Sequence, residues 1–281
     1  MAETGRGLLT AFRDFSTHVA AGKTPPTACR VFFGASLCAL SKECGGVRPI
    51  AVGMTLRRMV TKSLIKPGSD AIGDFLRPHQ LGYATRGGCE AAVHAARHLS
   101  ASATQTLVFL KLDIKNAFNT IHRSHVLSEV SRKMPSLYRF FYSAYSRPTA
   151  LLFDSHVIES MTGAPALFSV GLQGVVEKLK ARFNTWYLDD ASLIEDAPAA
   201  LADVRTLIPE LKKLGLEVNR RKCEMALLNV NEVDREGTLR SFGSLLPELR
   251  ILTVNELYLL GAPLALQQLL SSMEEKPICS Y

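Results

Sequence analysis

Apolar and polar positions change period repeatedly along the chain, and the changes predict a mixed α and β protein. Residues 7–22 carry apolar positions at helical spacing, and Gly45-Gly46-Val47-Arg48-Pro49-Ile50-Ala51-Val52 reads as a glycine turn feeding a short strand. Thr55 to Ile65 follows as a basic helix with Arg57, Arg58 and Lys62. After breaks at Pro78 and Gly82, Gly87-Gly88 opens a helix from Cys89 to Leu99. Thr106-Leu107-Val108-Phe109-Leu110-Lys111-Leu112 is too apolar for a surface strand, which places it centrally in a sheet, and Asp113 ends it.

Beyond that strand the pattern predicts a helix over Arg123 to Lys133, an extended segment over Leu151 to Ile158 and a buried helix over Pro165 to Lys180. Tyr187-Leu188-Asp189-Asp190 falls where a tight strand reversal is expected, with Trp186 before it and Ala191-Ser192-Leu193-Ile194 after it. Pro198 to Leu214 has helical spacing with Gly215 as its stop, and the remainder, ending in Glu256 to Leu264, suggests strands. No repeat or low-complexity linker marks a domain boundary.

Composition narrows this picture. The chain has 281 residues, 47% hydrophobic and 21% charged, which suits a continuous core and excludes a disordered protein. A net charge of +7 and a pI near 9.1 favour a polyanionic partner. Cys29, Cys38, Cys44, Cys89, Cys223 and Cys279 form no C-x-x-C pair, so reduced thiols in an intracellular protein are expected rather than a zinc module or a disulfide framework. Charged residues interrupt the first twenty positions, unlike a signal peptide, and the uncharged runs Ser160–Val176 and Leu257–Met273 fall short of a membrane span. A soluble protein is expected, with nucleus or cytoplasm open. His94 with His98 and His122 with His125 lack the further ligands of a metal motif.

The acids carry the chemistry. Two adjacent carboxylates at a hairpin tip serve turn formation as readily as catalysis, but Asp113 at the end of a second apolar strand adds a third. Nucleotidyl transfer to a hydroxyl needs the nucleophile, phosphorus and leaving pyrophosphate held in line with their charge neutralised. Two Mg²⁺ ions roughly 3.5–4 Å apart do this, and hard carboxylate oxygens suit them.

The motifs, in order, resemble those of reverse transcriptases, most closely the enzymes of non-LTR retrotransposons. The resemblance spans roughly residues 30–265 and rests on Gly45 to Val52, Gln80-Leu81-Gly82-Tyr83, Leu112-Asp113-Ile114-Lys115-Asn116-Ala117-Phe118, Ala166-Leu167-Phe168-Ser169, Tyr187 to Asp190, Gly215-Leu216-Glu217-Val218-Asn219 through Lys222-Cys223-Glu224, and Leu259-Leu260-Gly261. It implies an α+β right-hand polymerase, with fingers and an antiparallel palm sheet packed by helices over 30–265, a helical lead-in over 1–29 and a tail over 266–281. On this reading Asp113, Asp189 and Asp190 hold two Mg²⁺ ions, with Mn²⁺ as a substitute. Phe118 packs against the incoming sugar and disfavours ribonucleotides, Arg48 and Lys42 grip the triphosphate, and Lys222 protonates departing pyrophosphate. Leu260 and Gly261 hold the primer backbone. The implied partners are an RNA template, a DNA primer and deoxynucleoside triphosphates, with no membrane and no inferable protein partner.

Two departures temper the expectation of activity. The family's glycine- and glutamine-containing stretch before the buried helix is replaced by the shorter Glu159-Ser160-Met161-Thr162-Gly163-Ala164-Pro165. The chain ends 20 residues after Gly261, so a thumb is expected to be absent or rudimentary. An inactive, truncated descendant that only binds nucleic acid is therefore the alternative, and a maturase or telomerase relative would need RNA-binding domains the sequence does not display.

Overall fold

The computed structural model describes residues 3–41, 45–154, 156–160, 165–229 and 232–265. In chain order its strands are β1 (Ala35–Ser41), β2 (Val47–Gly53), β3 (Leu107–Leu112), β4 (Thr149–Phe153), β5 (His156–Ser160), β6 (Phe183–Tyr187), β7 (Asp190–Glu195), β8 (Glu224–Leu228), β9 (Arg250–Leu252), β10 (Tyr258–Leu259) and β11 (Ala262–Pro263). The chain divides into two units, Met1–Ile72 with Ile121–Gly171, and Gly73–Thr120 with Leu172–Tyr281. Each unit takes two separate stretches of sequence, which is why no linker marks the division.

The first unit contains a four-stranded sheet of order β2-β1-β4-β5. Its core is a run of edge-to-face aromatic contacts, Phe15 on Phe32, Phe32 on Phe33, Phe33 on Phe140 and Phe140 on Phe141. Arg57 lies over Gly53, where any Cβ would meet its guanidinium, and donates to the Phe33 carbonyl. Arg123 sits 5.0 Å from the centroid of the Tyr145 ring. Burial lowers the pKa of both arginines and pushes that of Tyr145 up to about 12. One face of the sheet presents Leu40, Val52, Leu152 and Val157 to solvent.

The second unit is built on a five-stranded sheet of order β6-β7-β3-β8-β9, antiparallel except where β9 runs parallel to β8. The central place predicted for Leu107–Leu112 is observed, with Lys111 its one residue that is not fully buried. On one face Leu107, Phe109, Phe183, Ile194, Ala226 and Leu228 pack beneath Ala92, Val93 and Ala96 of the helix Gly88–Ser102. Leu257 and Leu259 close the same cluster. Burying each large side chain there stabilises the unit by about 1.5–3 kcal/mol.

Along that same face the side chains change from apolar to polar. Register places Ser192 and Glu224 beside Lys111, and one step beyond the paired residues Leu112 and Ala191 it sets Asp113 across from Asp190. The covered half of the face is core, and the uncovered half carries the acids.

Other expectations need correction. The extended segment over Leu151 to Ile158 is a hairpin, because Asp154 takes φ 51°, a left-handed conformation that aspartate tolerates. The helix begun at Pro165 ends at Val176 rather than Lys180. Strands were expected throughout the last part of the chain, yet Glu232–Leu245 is a helix that buries Phe242, and the following turn buries Leu246. The stop at Gly215 is as expected: φ is 79°, Leu216 N donates to Leu211 O and Gly215 N to Lys212 O. Lys42 and residues 161–164 lie outside the described residues.

Candidate active site

Tyr187 and Asp190 are the last paired residues of β6 and β7, so Leu188-Asp189 is a two-residue turn. Leu188 adopts φ 59°, an uncommon conformation for a residue with a Cβ. Backbone pairing on the outer side of β6 helps define this turn: Trp186 N donates to His79 O at 2.7 Å, and Leu81 N to Trp186 O at 2.8 Å. The Trp186 indole is fully buried and donates to Asn184 Oδ1. Tyr187 points its hydroxyl at the Cys89 thiol, a contact that raises its pKa.

Asp113 leaves the end of β3 with both its main chain and side chain anchored. Asn219 N donates to Asp113 O at 2.8 Å, and Asn219 Nδ2 donates to Asp113 Oδ2 at 2.7 Å. Lys115 N donates to Glu217 O nearby, so the segment 217–219 holds the chain that leaves the strand.

Asp113 and Asp190 act electrostatically on Asp189, and Asp113 acts on Asp190. Burial pushes the Asp189 pKa up to about 6; the charges of Asp190 and Asp113 add to the rise, while its own backbone N–H and Lys222 oppose it. Asp190 is likewise raised, first by burial and then by Asp113, against Lys111 and Lys222. Lys111 is itself paired with Glu224 at 3.5 Å, and Arg250 reaches the other oxygen of Glu224 at 2.9 Å. Partly desolvated acids that repel one another gain most from a cation, and their hard oxygens suit Mg²⁺.

Among the described residues no three His, Cys, Asp and Glu side chains stand close enough to cage an ion by themselves. Mg²⁺ usually takes one or two carboxylates and completes its octahedron with water and phosphate oxygens, so a closed protein cage is not what this chemistry requires.

The remaining sequence-predicted residues are distributed as follows. Lys222 is exposed on the short turn Arg220–Lys222 and within electrostatic reach of Asp189 and Asp190. Phe118 is half-buried on the single helical turn Ala117–Thr120, just after Asn116 at φ 47°. Leu260 and Gly261, at φ 50° and 84°, form the turn between β10 and β11. Arg48 is exposed on β2 in the other unit. Asn219 and Gln80 lay inside the quoted motifs without an assigned role; a carboxamide bonded to an acid-bearing segment is visible only in three dimensions. Cys223, beside Asp113, is a buried thiol with its pKa pushed up to about 11 by desolvation.

A central strand and a neighbouring hairpin that bring acids to one end of a largely antiparallel sheet define a polymerase palm. Residues 40–264 match the reverse transcriptase (RNA-dependent DNA polymerase) family, and the chain belongs to it. No curated protein sequence matches the chain. Among solved structures, the apo telomerase of Candida tropicalis truncated from its C-terminal domain is similar with a TM-score of 0.51 and 13% identity, over 72% of this chain and 51% of that one. The telomerase of Candida albicans in complex with a TWJ fragment of telomeric RNA is similar with a TM-score of 0.52 and 11% identity, over 74% and 43%. The chain thus spans about half the length of these structures, and at such identity the likeness is one of fold. Among the described residues no helix is long and apolar enough to cross a membrane.

Proposed function

We propose that this chain is the RNA-directed DNA polymerase domain of a non-LTR retrotransposon-like element, extending a DNA primer on an RNA template. The observation that carries the reading is the strand register, which sets Asp113 across from Asp190 at the open end of the second unit's sheet with Asp189 on the adjoining turn. These three acids would hold two Mg²⁺ ions, for which Mn²⁺ can substitute. Bound there, the metals supply a more acidic primer 3′-hydroxyl and charge neutralisation at the triphosphate.

The chain's own side chains do the rest. Asn219 keeps Asp113 turned toward the partner acids, and Lys222 stands where it can give a proton to departing pyrophosphate. Arg48, with Lys42, binds triphosphate oxygens, since a guanidinium pairs with them bidentately. Phe118 packs against the sugar and leaves no room for a 2′-hydroxyl. Leu260 and Gly261 lie against the primer backbone, where the tight turn admits close approach.

The replaced segment Glu159 to Pro165 favours a second reading, a protein that keeps the fold and binds nucleic acid without catalysis. Primer extension on an RNA template with Mg²⁺ and deoxynucleoside triphosphates separates the two. The polymerase reading expects extension that falls at least about a thousandfold in Asp189→Ala. Absence of extension, or extension indifferent to that substitution, leaves the binding-only reading.

A further inference from the structure

Gln80 is 1% exposed and directs both ends of its carboxamide at the acid-bearing turn. Its Nε2 donates to Leu188 O at 3.0 Å, and its Oε1 accepts from Leu188 N at 2.7 Å and from Gly82 N at 3.1 Å. One side chain therefore satisfies both main-chain polar groups of the residue immediately before Asp189. That residue is also the strained one of the turn, at φ 59°.

Gln80 bridges to Trp186 in parallel register, and the main-chain pairing of this segment with β6 stops there. The carboxamide carries the pairing two residues further, past the last strand position to the turn. Gly82 completes the seat: a Cβ there would lie 2.7 Å from Leu188 N and 2.9 Å from Leu188 Cγ. The chemistry admits few substitutes. Donor and acceptor are both required on one planar group, so a carboxylate would oppose Leu188 O with negative charge beside two further acids, and an apolar chain would leave Leu188 unpaired.

We propose that Gln80, seated by Gly82, is a positioning residue that fixes the direction of the Asp189-Asp190 carboxylates. Repulsion between these acids tends to splay the turn in the absence of cations, and the two-point clamp on Leu188 resists it. The inference rests on the reading of Asp189 and Asp190 as metal-holding acids, and a suitable experiment tells failure of one from failure of the other.

Two measurements on the full chain do so: amide hydrogen exchange without metal, and titration with Mn²⁺ followed by electron paramagnetic resonance. In Gln80→Met, exchange across residues 187–191 speeds by about tenfold or more while β3 and β8 keep their protection. Mn²⁺ affinity falls by about tenfold, and in primer extension kcat falls by about tenfold to a hundredfold with the nucleotide KM within threefold. Gly82→Ala, whose Cβ would press on Leu188 and, at 3.1 Å, on Gln80 Oε1 without removing the carboxamide, repeats the pattern. If Gln80→Met loses protection everywhere, Gly82→Ala decides alone. Unchanged exchange at the turn in Gly82→Ala, or in a folded Gln80→Met, overturns the positioning role whatever the metal does. Faster exchange at the turn together with Mn²⁺ binding that Asp189→Asn leaves untouched upholds the clamp and overturns the metal reading.

Discussion

Asp189 holds a charge that the folded protein disfavours. Its pKa stands at about 6 against an ordinary 3.8, raised first by burial and then by the neighbouring acids. With the folded value raised, the proton is bound more tightly by the native state than by the unfolded chain. Stability from this group is therefore greatest below pH 3.8, falls as pH rises, and the full penalty is present above about pH 6. One pKa unit is worth about 1.36 kcal/mol, and screening by solvent at a half-buried group leaves a penalty of about 1–2 kcal/mol. Asp189→Asn should accordingly raise the melting temperature of metal-free protein at pH 7.5 by about 2–5 °C. The gain should vanish near pH 4, and Mg²⁺ should stabilise the wild type more than the variant. Equal gains at both pH values would contradict a raised Asp189.

At the scale of elements, two buried carboxylates hold the turn that delivers the chain into β6, Glu195 accepting from Arg182 N at 2.7 Å and Asp203 from the two residues before it. Asp203, on the helix Ala197–Lys213 and 4% exposed, accepts from Lys180 N at 3.0 Å and Ala181 N at 2.8 Å. Removing it strands two main-chain donors, of which that of Ala181 is buried, so Asp203→Ala should cost about 1–3 kcal/mol, and Asp203→Asn, which keeps one acceptor oxygen, about half of that. The midpoints of urea unfolding measure both, and coincident midpoints for wild type and Asp203→Ala would refute the clamp. Elements whose sequence speaks for one environment were readable in advance: the buried β3, the helix Thr55–Ile65 and the reversal after Tyr187. The β4–β5 hairpin was not, because it turns around Asp154 without a glycine or proline signal among its described residues. In the helix Glu232–Leu245 five charged residues mask a sparse apolar stripe. The acids of the site stood out as charges ending apolar strands. The amides that hold them did not, because Gln80 and Asn219 find their partners 108 and 106 residues away.

At the scale of the whole molecule, the positive charge belongs to one unit. The first unit carries 15 Lys and Arg against 7 Asp and Glu, and the second 18 against 19, so the first has a net +8 and the second a net −1. A chain read only by its total of +7 is a uniformly basic protein. Divided in this way, the acid-bearing unit is nearly neutral, and long-range attraction for a phosphate backbone comes from the other. Counterion release makes the distinction measurable, since each neutralised phosphate of a duplex contributes about 0.9 to the slope of log affinity against log salt. Arg58 and Lys62 are exposed on the helix Thr55–Ile65 of the first unit, and Arg205 and Lys212 are exposed on the helix Ala197–Lys213 of the second. Replacing Arg58 and Lys62 together by Gln should flatten the salt dependence of RNA–DNA duplex binding by about one to two in slope, irrespective of sequence. The same replacement at Arg205 and Lys212 should change it by less than about half of that. Equal losses from the two pairs would mean that nucleic acid responds to the total charge, and the division of labour between a basic unit and an acid-bearing one would fall.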